Sequence, residues 1–224
     1  MTLKVGTVTI GQAPRVDVTP DLKQILGSGI ELVEAGALDG LSRERIAAMA
    51  PREGDYVLVT RLANGESVTI CEREVTPLVR QKIAAHFESG IQAVLLLCTG
   101  EFPDFSGAGL LLEPRRVLFN MVRAVLPPRA RLGIFSPDAA QTERSAKRWS
   151  ALTPNVRSVA ASPYVSPDES VPAAAEELAR WGADAVVMDC IGYSLAMKAQ
   201  ARRILGRPVI VARSVAARML AELV

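Results

Sequence analysis

Two cysteines occur in the same short pattern, in which a glycine follows the thiol by two residues. Cys98 closes the aliphatic run AVLLL as the sequence CTG, and Cys190 closes the run AVVMD as the sequence CIG. A free thiol ionises near pH ~8.5, and a helix N-terminus brings its ionisation closer to neutrality. Two such thiols on opposite sides of one carbon atom can remove a proton from one face and return it to the other.

The glycine of each pattern suits the binding of negative charge. Glycine has no Cβ, so a backbone containing it can approach a ligand closely, and successive amide N–H groups can bind a carboxylate or an enolate-like intermediate. The expected substrate is therefore a carbon acid next to a carboxylate or carbonyl, and no metal or organic cofactor is expected. The structural alternative is that each cysteine is a small buried hydrophobe at the end of a strand, the role that we expect for Cys71.

The two patterns belong to a longer internal similarity. Residues 90–102, GIQAVLLLCTGEF, align without a gap on residues 182–194, GADAVVMDCIGYS, and each segment follows a predicted helix. The segments TIGQAPR at 9–15 and IFSPDA at 134–139 resemble the first crossover loops of two halves. The similarity predicts two pseudo-symmetric lobes around a cleft, each cysteine lying beyond the carboxyl end of its strand, where parallel sheets bind ligands. We expect the first lobe at 1–126 plus 212–224 and the second at 127–211.

Short aliphatic runs alternate with helical patterns along the chain, which is typical of an α/β fold with mostly parallel sheets flanked by helices. Asn64-Gly65 predicts a hairpin turn between two of the strands. The expected strands are Leu3–Ile10, Ile30–Glu34, Tyr56–Leu62, Ser67–Cys71, Ala93–Leu97, Arg131–Phe135, Val156–Ala160, Ala185–Met188 and Val209–Val211.

Threonine or serine followed by proline predicts a helix start, as the N-cap and the first helical residue. Such pairs occur at 19–20, 76–77 and 136–137. In the helix expected after Thr76, apolar residues recur at fourfold spacing until Gly90; they are Val79, Ile83 and Phe87. The last helix shows the same spacing at Val215, Met219 and Leu223.

The composition excludes several classes of protein. The 224 residues are 49% hydrophobic and 22% charged, an ordinary globular mixture. The net charge of +2 arises without a dense basic block, so neither nucleic acid nor a membrane surface is an expected partner. The N-terminus lacks the pattern of a signal peptide and no segment is long enough to span a bilayer, so we expect a cytoplasmic protein with reduced cysteines.

The chain has a single histidine, His86, and neither CxxC pairs nor HExxH. No zinc site is therefore expected, and His86 is assigned to a helix surface or to packing.

Further polar residues lie near the predicted strand ends. Gln12 and Arg15, in the first crossover loop, can hold a substrate carboxylate, since arginine offers a bidentate fork; the alternative is a solvent-facing loop with a surface ion pair. Glu101 and Asp189 flank the cysteines and can tune them, or else cap the following helices. Tyr193 can donate a hydrogen bond in the pocket or simply pack.

Two more residues are secondary candidates. Arg115 lies in the segment Glu113-Pro114-Arg115, which predicts a helix start, and its side chain can turn toward the cleft. Ser136 ends a predicted strand in the second half.

Several blocks in order resemble the AroM family: TIGQAPR at 9–15, EAGALDGLS at 34–42, LLLCTGEF at 95–102, LLEPRRVL at 111–118 and VMDCIGYS at 187–194. The resemblance runs from the first strand to the C-terminal helix. The family is named for an association with the shikimate-pathway regulon, which implies a link to aromatic amino-acid metabolism.

The paired C-x-G turns are more distantly similar to the aspartate/glutamate racemase-like superfamily, which includes hydantoin racemases, maleate isomerases and arylmalonate decarboxylases. This resemblance implies two α/β lobes, no cofactor, and Cys98 and Cys190 as the acid and base. It also implies that a substrate carboxylate is bound by the amides of Thr99, Gly100, Ile191 and Gly192.

The residues after the cysteines differ from those of glutamate racemases, which carry Asn-Thr after the first cysteine and Thr-His after the second. Glutamate is therefore not the expected substrate. We predict a racemase or isomerase acting on a small carboxylate. A decarboxylase or cis-trans isomerase with one active thiol, and a non-enzymatic binding or regulatory protein, are the alternatives, and a homodimer is left open.

Overall fold

A computed structural model describes residues 3–105 and 109–223. Within these ranges the strands form two four-stranded parallel sheets and one antiparallel hairpin. The strands are β1 (Leu3–Thr9), β2 (Ile30–Gly36), β3 (Val57–Arg61), β4 (Ser67–Cys71), β5 (Ala93–Leu96), β6 (Leu110–Leu112), β7 (Leu132–Ser136), β8 (Val156–Ala160), β9 (Ala185–Met188) and β10 (Val209–Val211). The α/β class predicted from the sequence is confirmed.

Helices connect the strands. They are α1 (Thr19–Leu26), α2 (Arg43–Ala47), α3 (Glu72–Glu88), α4 (Pro114–Val125), α5 (Thr142–Trp149), α6 (Pro167–Trp181), α7 (Leu195–Leu205) and α8 (Ala212–Leu223), and a 3₁₀ turn covers Ala139–Gln141.

The two parallel sheets share one strand topology. The first has the order β2-β1-β5-β6 and the second the order β10-β9-β7-β8. In each sheet the first strand of the half lies in the middle, the second strand pairs with one of its edges, and the cysteine-bearing strand pairs with the other. This matches the internal repeat predicted from the two cysteine patterns.

The repeat extends to single residues beneath the sheets. In the first sheet Gly6 pairs with Val94, and a Cβ on Gly6 would lie 2.8 Å from the ring of His86 on α3. In the second sheet Gly133 pairs with Val186, and a Cβ there would lie 2.5 Å from Leu178 on α6. In both sheets a glycine lets the helix before the cysteine strand pack closely on the central strand.

The chain divides into two compact units, Met1–Arg115 with Ala216–Val224, and Arg116–Val215. The lobes predicted from the sequence, 1–126 plus 212–224 and 127–211, stay a prediction. The division falls inside α4 and inside α8. The reason at α4 is packing, because Leu118 and Val122 are buried in one apolar cluster with Leu132 and Ile134 of β7.

Most predicted elements agree with the structure to within two residues. The Asn64-Gly65 hairpin between β3 and β4 is confirmed, with Gly65 at φ 85°. α4 begins at Pro114, as predicted, and the stripe of Val79 and Ile83 on α3 is buried. The sequence interpretation missed the short strand β6 and the one-turn helix α2.

The predicted helix start at Thr76-Pro77 is wrong. α3 begins at Glu72, directly after β4, and Pro77 lies inside the helix. Thr76 donates its hydroxyl to the Glu72 carbonyl at 2.9 Å, which is a bond within a helix rather than an N-cap. The chain turns into the helix straight from the strand, with Cys71 still extended.

The other two proline pairs also differ from the prediction. Thr19 is the first residue of α1 rather than its N-cap, which is Val18. Ser136 is the last residue of β7, and α5 starts only at Thr142. Between them, Asp138 accepts a hydrogen bond from the Ala140 amide and caps the 3₁₀ turn.

The apolar face predicted for the last helix is not its buried face. Met219 and Leu223 are exposed on α8, whereas Ala216, Ala217 and Leu220 are buried. Alanine faces permit close helix packing, and hydrophobic spacing by itself does not distinguish one face from the other.

Among residues 3–105 and 109–223, no helix has the length and apolar character required to cross a membrane.

Candidate functional site

The two cysteines occupy equivalent places in the two sheets. Cys98 lies two residues beyond the end of β5 at Leu96, and Cys190 lies two residues beyond the end of β9 at Met188. Both side chains are buried. β5 is buried throughout, and β9 is buried except at its first residue, Ala185. Each cysteine therefore follows a largely buried strand, near the carboxyl end of a parallel strand where ligands bind.

Each thiol is held by the glycine that follows it. The Gly100 amide donates to Cys98 Sγ at 3.3 Å, and the Gly192 amide donates to Cys190 Sγ at 3.4 Å. An N–H directed at sulfur stabilises the thiolate relative to the thiol. Two of the amides assigned to a substrate carboxylate by the resemblance therefore have sulfur as an acceptor in this structure.

The Cys98 turn has an apolar neighbour. A Cβ on Gly100 would lie 2.8 Å from Leu58 Cδ2 and 3.3 Å from the Cys98 sulfur. The turn ends with Glu101, whose amide donates to the Tyr56 hydroxyl at 3.1 Å. Thr99 is buried within the turn. Tyr56 directly precedes β3 and Leu58 lies within it, so the β3–β4 hairpin supports this turn.

The Cys190 turn has a phenol as its neighbour. Tyr164 Oη lies 3.7 Å from Cys190 Sγ, and both residues are buried. A Cβ on Gly192 would lie 2.4 Å from the same hydroxyl oxygen. The absent side chain at position 192 is what allows the tyrosine to reach the sulfur.

A buried arginine holds the backbone of the same turn. Arg213, at the start of α8, is 1% exposed. Its Nε donates to the Ile191 carbonyl and its Nη2 to the Gly192 carbonyl, each at 2.9 Å. Charge-assisted hydrogen bonds to two successive carbonyls fix the turn more firmly than neutral ones would.

Asp189, the residue before Cys190, is tied to α5. Its Oδ2 accepts from Trp149 Nε1 at 2.7 Å and forms a close ion pair with Arg148. The carboxylate is buried, and the arginine compensates its charge. Asp189 does not cap the following helix, because Ser194 caps α7.

Tyr193 is a packed residue with its hydroxyl engaged. It is fully buried, it donates to the Ala161 carbonyl, and its ring meets Phe135 edge-on at 6.2 Å. Burial raises the pKa of the Tyr193 phenol well above 10.0, and the charges of Cys190 and Asp189 raise it further. The phenol is therefore neutral and structural in this structure.

Ser136 lies inside the second sheet, where its hydroxyl contacts that of Ser158 on β8 at 2.8 Å. It is fully buried. This contact joins the last residue of β7 to the middle of β8.

Gln12 bridges two loops of the first unit. Its Nε2 donates to the Leu38 carbonyl at 3.3 Å, and its Oε1 accepts from the Ala63 amide at 2.9 Å. Both ends of the side-chain amide thus have protein partners, which anchor the crossover loop to two other loops.

Arg15 is buried instead of facing solvent. Its Nε and Nη2 donate to the two carboxylate oxygens of Asp17, each at 2.8 Å, and its Nη1 donates to Thr9 Oγ1 at 2.9 Å. The bidentate fork that the sequence suggested for a substrate carboxylate is in contact with a carboxylate of the chain itself.

Arg115 lies in the first turn of α4 and is half-buried. Within the residues that the structure describes, its Nε is buried and has no hydrogen-bond partner.

Tyr164 and Arg213 were missed by sequence reasoning. Neither belongs to a motif, and each follows a strand other than the one that carries the cysteine. Asp39 was also missed; its carboxylate accepts from the Ala13 and Gly36 amides at 2.9 and 2.7 Å and joins the loops after β1 and β2.

No cluster of three or more metal-ligating side chains occurs in the described ranges, 3–105 and 109–223.

Solved structures with the same fold include racemases and isomerases. A glutamate racemase from Francisella tularensis subsp. tularensis SCHU S4 in complex with D-glutamate has a TM-score of 0.60 and 16% identity, covering 99% of this chain and 81% of that one. Allantoin racemase from Pseudomonas fluorescens has a TM-score of 0.61 and 15% identity, covering 99% and 90%. A mutant maleate cis-trans isomerase from Nocardia farcinica, with a covalently bound succinylcysteine intermediate, has a TM-score of 0.60 and 16% identity, covering 99% and 92%.

At these identities the similarity shows the fold, which is that of the aspartate/glutamate racemase-like proteins. No protein of curated function matches the sequence. The family model described as AroM protein matches residues 5–224, nearly the whole chain. The protein therefore belongs to the AroM family.

Proposed function

We propose that this AroM-family protein is a cofactor-independent racemase or isomerase that acts on a small carboxylate or related carbon acid, with cysteine as acid and base. The observation that carries the proposal is the pair of matched turns. Cys98 and Cys190 follow equivalent strands of two sheets with the same topology, and each sulfur accepts an N–H from the glycine two residues later.

In a two-base reaction one cysteine is a thiolate and the other a thiol. The thiolate takes the proton from the substrate carbon and becomes a thiol, and the electron pair of the C–H bond is delocalised into the neighbouring carboxylate or carbonyl. The other thiol then donates its proton to the opposite face and becomes a thiolate. The product has inverted configuration, and the protonation states of the two cysteines are exchanged.

The second candidate is a reaction that uses one thiol, as a proton donor in decarboxylation or as a nucleophile in cis-trans isomerisation. The different surroundings of the two turns favour it. Cys190 has the Tyr164 hydroxyl beside it, whereas the glycine of the Cys98 turn faces Leu58. In that case Cys190 is the reactive thiol.

Exchange of the α-proton tests the proposal. The protein is incubated in heavy water with amino acids, hydantoins and hydroxy acids, and deuterium at the α-carbon is followed by NMR. We expect exchange with at least one class, abolished in the protein in which Cys98 and Cys190 are both alanine. Absence of exchange with every class, together with ligand binding that survives the double substitution, would refute the cysteine mechanism.

The same panel distinguishes a binding protein from an enzyme. A ligand that raises the melting temperature without turnover would indicate a small-molecule binding or regulatory role, for which ligands of aromatic amino-acid metabolism are the first to test. The proposal also places the protein in the cytoplasm with small carboxylates as partners. Light scattering reports whether it is a homodimer.

A further inference from the structure

We propose that Tyr164 and Arg213 make Cys190 the thiolate-forming cysteine of this chain, Tyr164 as a direct donor to the sulfur and Arg213 as a positioning residue that acts through the 191–192 peptide. The role in catalysis rests on the proposed function, but the ionisation of the thiol does not require a substrate. Neither residue was a candidate from the sequence.

The argument for Arg213 concerns one peptide group. The carbonyl of Ile191 and the N–H of Gly192 belong to the same planar unit, and in a trans peptide they point in opposite directions. Arg213 Nε holds that carbonyl at 2.9 Å, and the N–H on the other side reaches Cys190 Sγ at 3.4 Å. The cation thus aims the amide at the sulfur, and by polarising the peptide it makes the N–H a stronger donor.

Arg213 also fixes the next peptide. Its Nη2 donates to the Gly192 carbonyl at 2.9 Å, so one rigid guanidinium spans two successive carbonyls. The side chain is 1% exposed, and a buried cation held on carbonyls exerts its field without the screening that water provides. A lysine could supply the charge but not the two-pronged geometry.

The argument for Tyr164 concerns the ionised state of the sulfur. Its hydroxyl lies 3.7 Å from Cys190 Sγ, where either group can donate while the thiol is protonated. A thiolate has no proton, so the hydroxyl then donates and the hydrogen bond becomes charge-assisted. The contact therefore favours the ionised form over the neutral one.

The loop that carries Tyr164 is well fixed. Ser162 Oγ accepts from the Tyr164 amide at 3.2 Å and from the Val165 amide at 3.1 Å. The Ser162 carbonyl in turn accepts from Ser170 Oγ at 2.9 Å, which ties the loop to α6. These hydrogen bonds fix the backbone that carries the phenol, and so keep its hydroxyl near the sulfur.

The other charged and titratable groups around Cys190 act in both directions. Asp189 precedes it and would oppose a thiolate, but Arg148 pairs with that carboxylate. Tyr193 follows the turn, and burial together with the Cys190 charge raises the pKa of its phenol, so it stays neutral. Among the contacts described, the Gly192 amide, Arg213 acting through it, and the Tyr164 hydroxyl favour the ionised sulfur.

The experiment measures ionisation of Cys190 alone. In the protein carrying Cys71→Ser and Cys98→Ser, the rate of reaction with methyl methanethiosulfonate is followed by mass spectrometry across pH, since only the thiolate reacts. The midpoint of this rate-against-pH curve reports the ionisation of Cys190. We expect Tyr164→Phe to raise that midpoint by about one pH unit, which is about tenfold less thiolate at a fixed pH below the midpoint. Arg213→Lys should raise it by roughly half a unit.

The control is the protein that retains only Cys98, with Cys71→Ser and Cys190→Ser. Tyr164→Phe should leave its midpoint unchanged. An unchanged Cys190 midpoint in both variants, or an equal shift in the Cys98 protein, would overturn the inference. If thermal melting shows that Arg213→Lys is unfolded, Tyr164→Phe decides the question, because it removes one hydroxyl and preserves the ring.

The inference and the proposed function fail separately. If the substitutions shift the ionisation midpoint of Cys190 but no substrate exchanges its proton in heavy water, the roles of Tyr164 and Arg213 stand and the proposed enzymatic function is refuted. If exchange depends on Cys190 but its ionisation midpoint does not change when Tyr164 or Arg213 is substituted, the proposed function stands and this inference is refuted. Where a substrate is found, Tyr164→Phe should also move the pH profile of kcat/KM to higher pH by the same amount.

Discussion

The Cys98 and Cys190 turns have the same backbone pattern and different surroundings. In both, a thiol two residues beyond a buried parallel strand accepts an N–H from a glycine. Around Gly100 the space where a side chain would lie is taken by a leucine methyl, and around Gly192 it is taken by a tyrosine hydroxyl. The internal repeat thus places a thiol at the same position of each sheet, and residues from neighbouring elements give the two turns different surroundings.

A second pair of equivalent positions shows the same principle away from the thiols. His86 packs on Gly6 in the first unit, and Leu178 packs on Gly133 in the second. The backbone contact is the same, but only the first involves a titratable group. Duplicated architecture fixes where side chains meet, and their chemistry then diverges.

The largest expected effect separates the two thiols. For a substrate identified by deuterium exchange, Cys190→Ala should lower kcat by about 10²–10⁴-fold, the range for loss of a general acid or base. Cys98→Ala should do the same if the reaction has two bases, and should be tolerated if one thiol suffices. A protein that tolerates Cys190→Ala but not Cys98→Ala would reverse the assignment.

The next effect is on stability, through Arg213. Arg213→Met removes two charge-assisted hydrogen bonds and leaves two buried carbonyls without that donor, so we expect a loss of about 3 kcal/mol in the free energy of unfolding. Arg218→Met, at an exposed position of the same helix, should change it by less than about 0.5 kcal/mol. Urea denaturation measures both. Equal losses would mean that the carbonyl contacts contribute little.

A methyl group tests the space at each glycine. Gly192→Ala should cost about 2 kcal/mol, because the new Cβ would overlap the Tyr164 hydroxyl and ring carbons at 2.4–2.7 Å. Gly100→Ala should cost about 1 kcal/mol, since the Leu58 methyl can move aside. Tyr164→Ala should reduce the cost of Gly192→Ala and leave that of Gly100→Ala unchanged. Additive effects at positions 164 and 192 would contradict the contact.

The smallest effect is a pH dependence confined to the first unit. Burial lowers the pKa of His86 below 6.5, aided by Lys82 and opposed by the Thr7 carbonyl. The unfolded chain therefore binds the proton first, and the free energy of unfolding falls as pH drops below 6.5, by at most about 1.4 kcal/mol per pH unit. Above that pH the contribution is constant.

His86→Leu gives the first unit the residue type that packs on the equivalent glycine of the second unit, Leu178. It should remove this pH dependence. The measurement is thermal melting of both proteins between pH 5 and 8, where the difference between them isolates the histidine. The reciprocal variant, Leu178→His, should introduce a comparable loss of stability at low pH. A wild-type curve parallel to that of His86→Leu would show that the histidine is not protonated differently on folding.

Sequence patterns predicted the strands better than the helix starts. Runs such as 185–188 and 209–211 were placed correctly because a strand buried on both faces must be continuously apolar. The Thr76-Pro77 pair gave a wrong helix start, because α3 tolerates Pro77 in its interior. The position of this proline therefore does not indicate where β4 ends and the helix begins. On α8 the alanine face is buried and the longer apolar side chains are not, which spacing cannot indicate.

Some candidate site residues have protein partners that the sequence did not reveal. Arg15 has the composition of a carboxylate ligand, but Asp17 lies two residues away and occupies its fork. Tyr193 and Asp189 adjoin Cys190 in the chain, yet they anchor the turn to Ala161 and Trp149. Adjacency in sequence identifies candidates, whereas the folded chain decides which hydrogen-bond partners their side chains have.

The sequence by itself determined the α/β class, the internal repeat, the AroM family and the equivalence of the two cysteines, because burial periodicity and repeated local motifs are properties of neighbouring residues. Only the tertiary structure decided which groups surround each sulfur. Tyr164 lies 26 residues before Cys190 in the sequence. Arg213 lies 22 residues after Ile191 and 21 after Gly192, whose carbonyls it binds. Such contacts depend on how loops from different strands converge at one sheet edge, which local patterns do not encode.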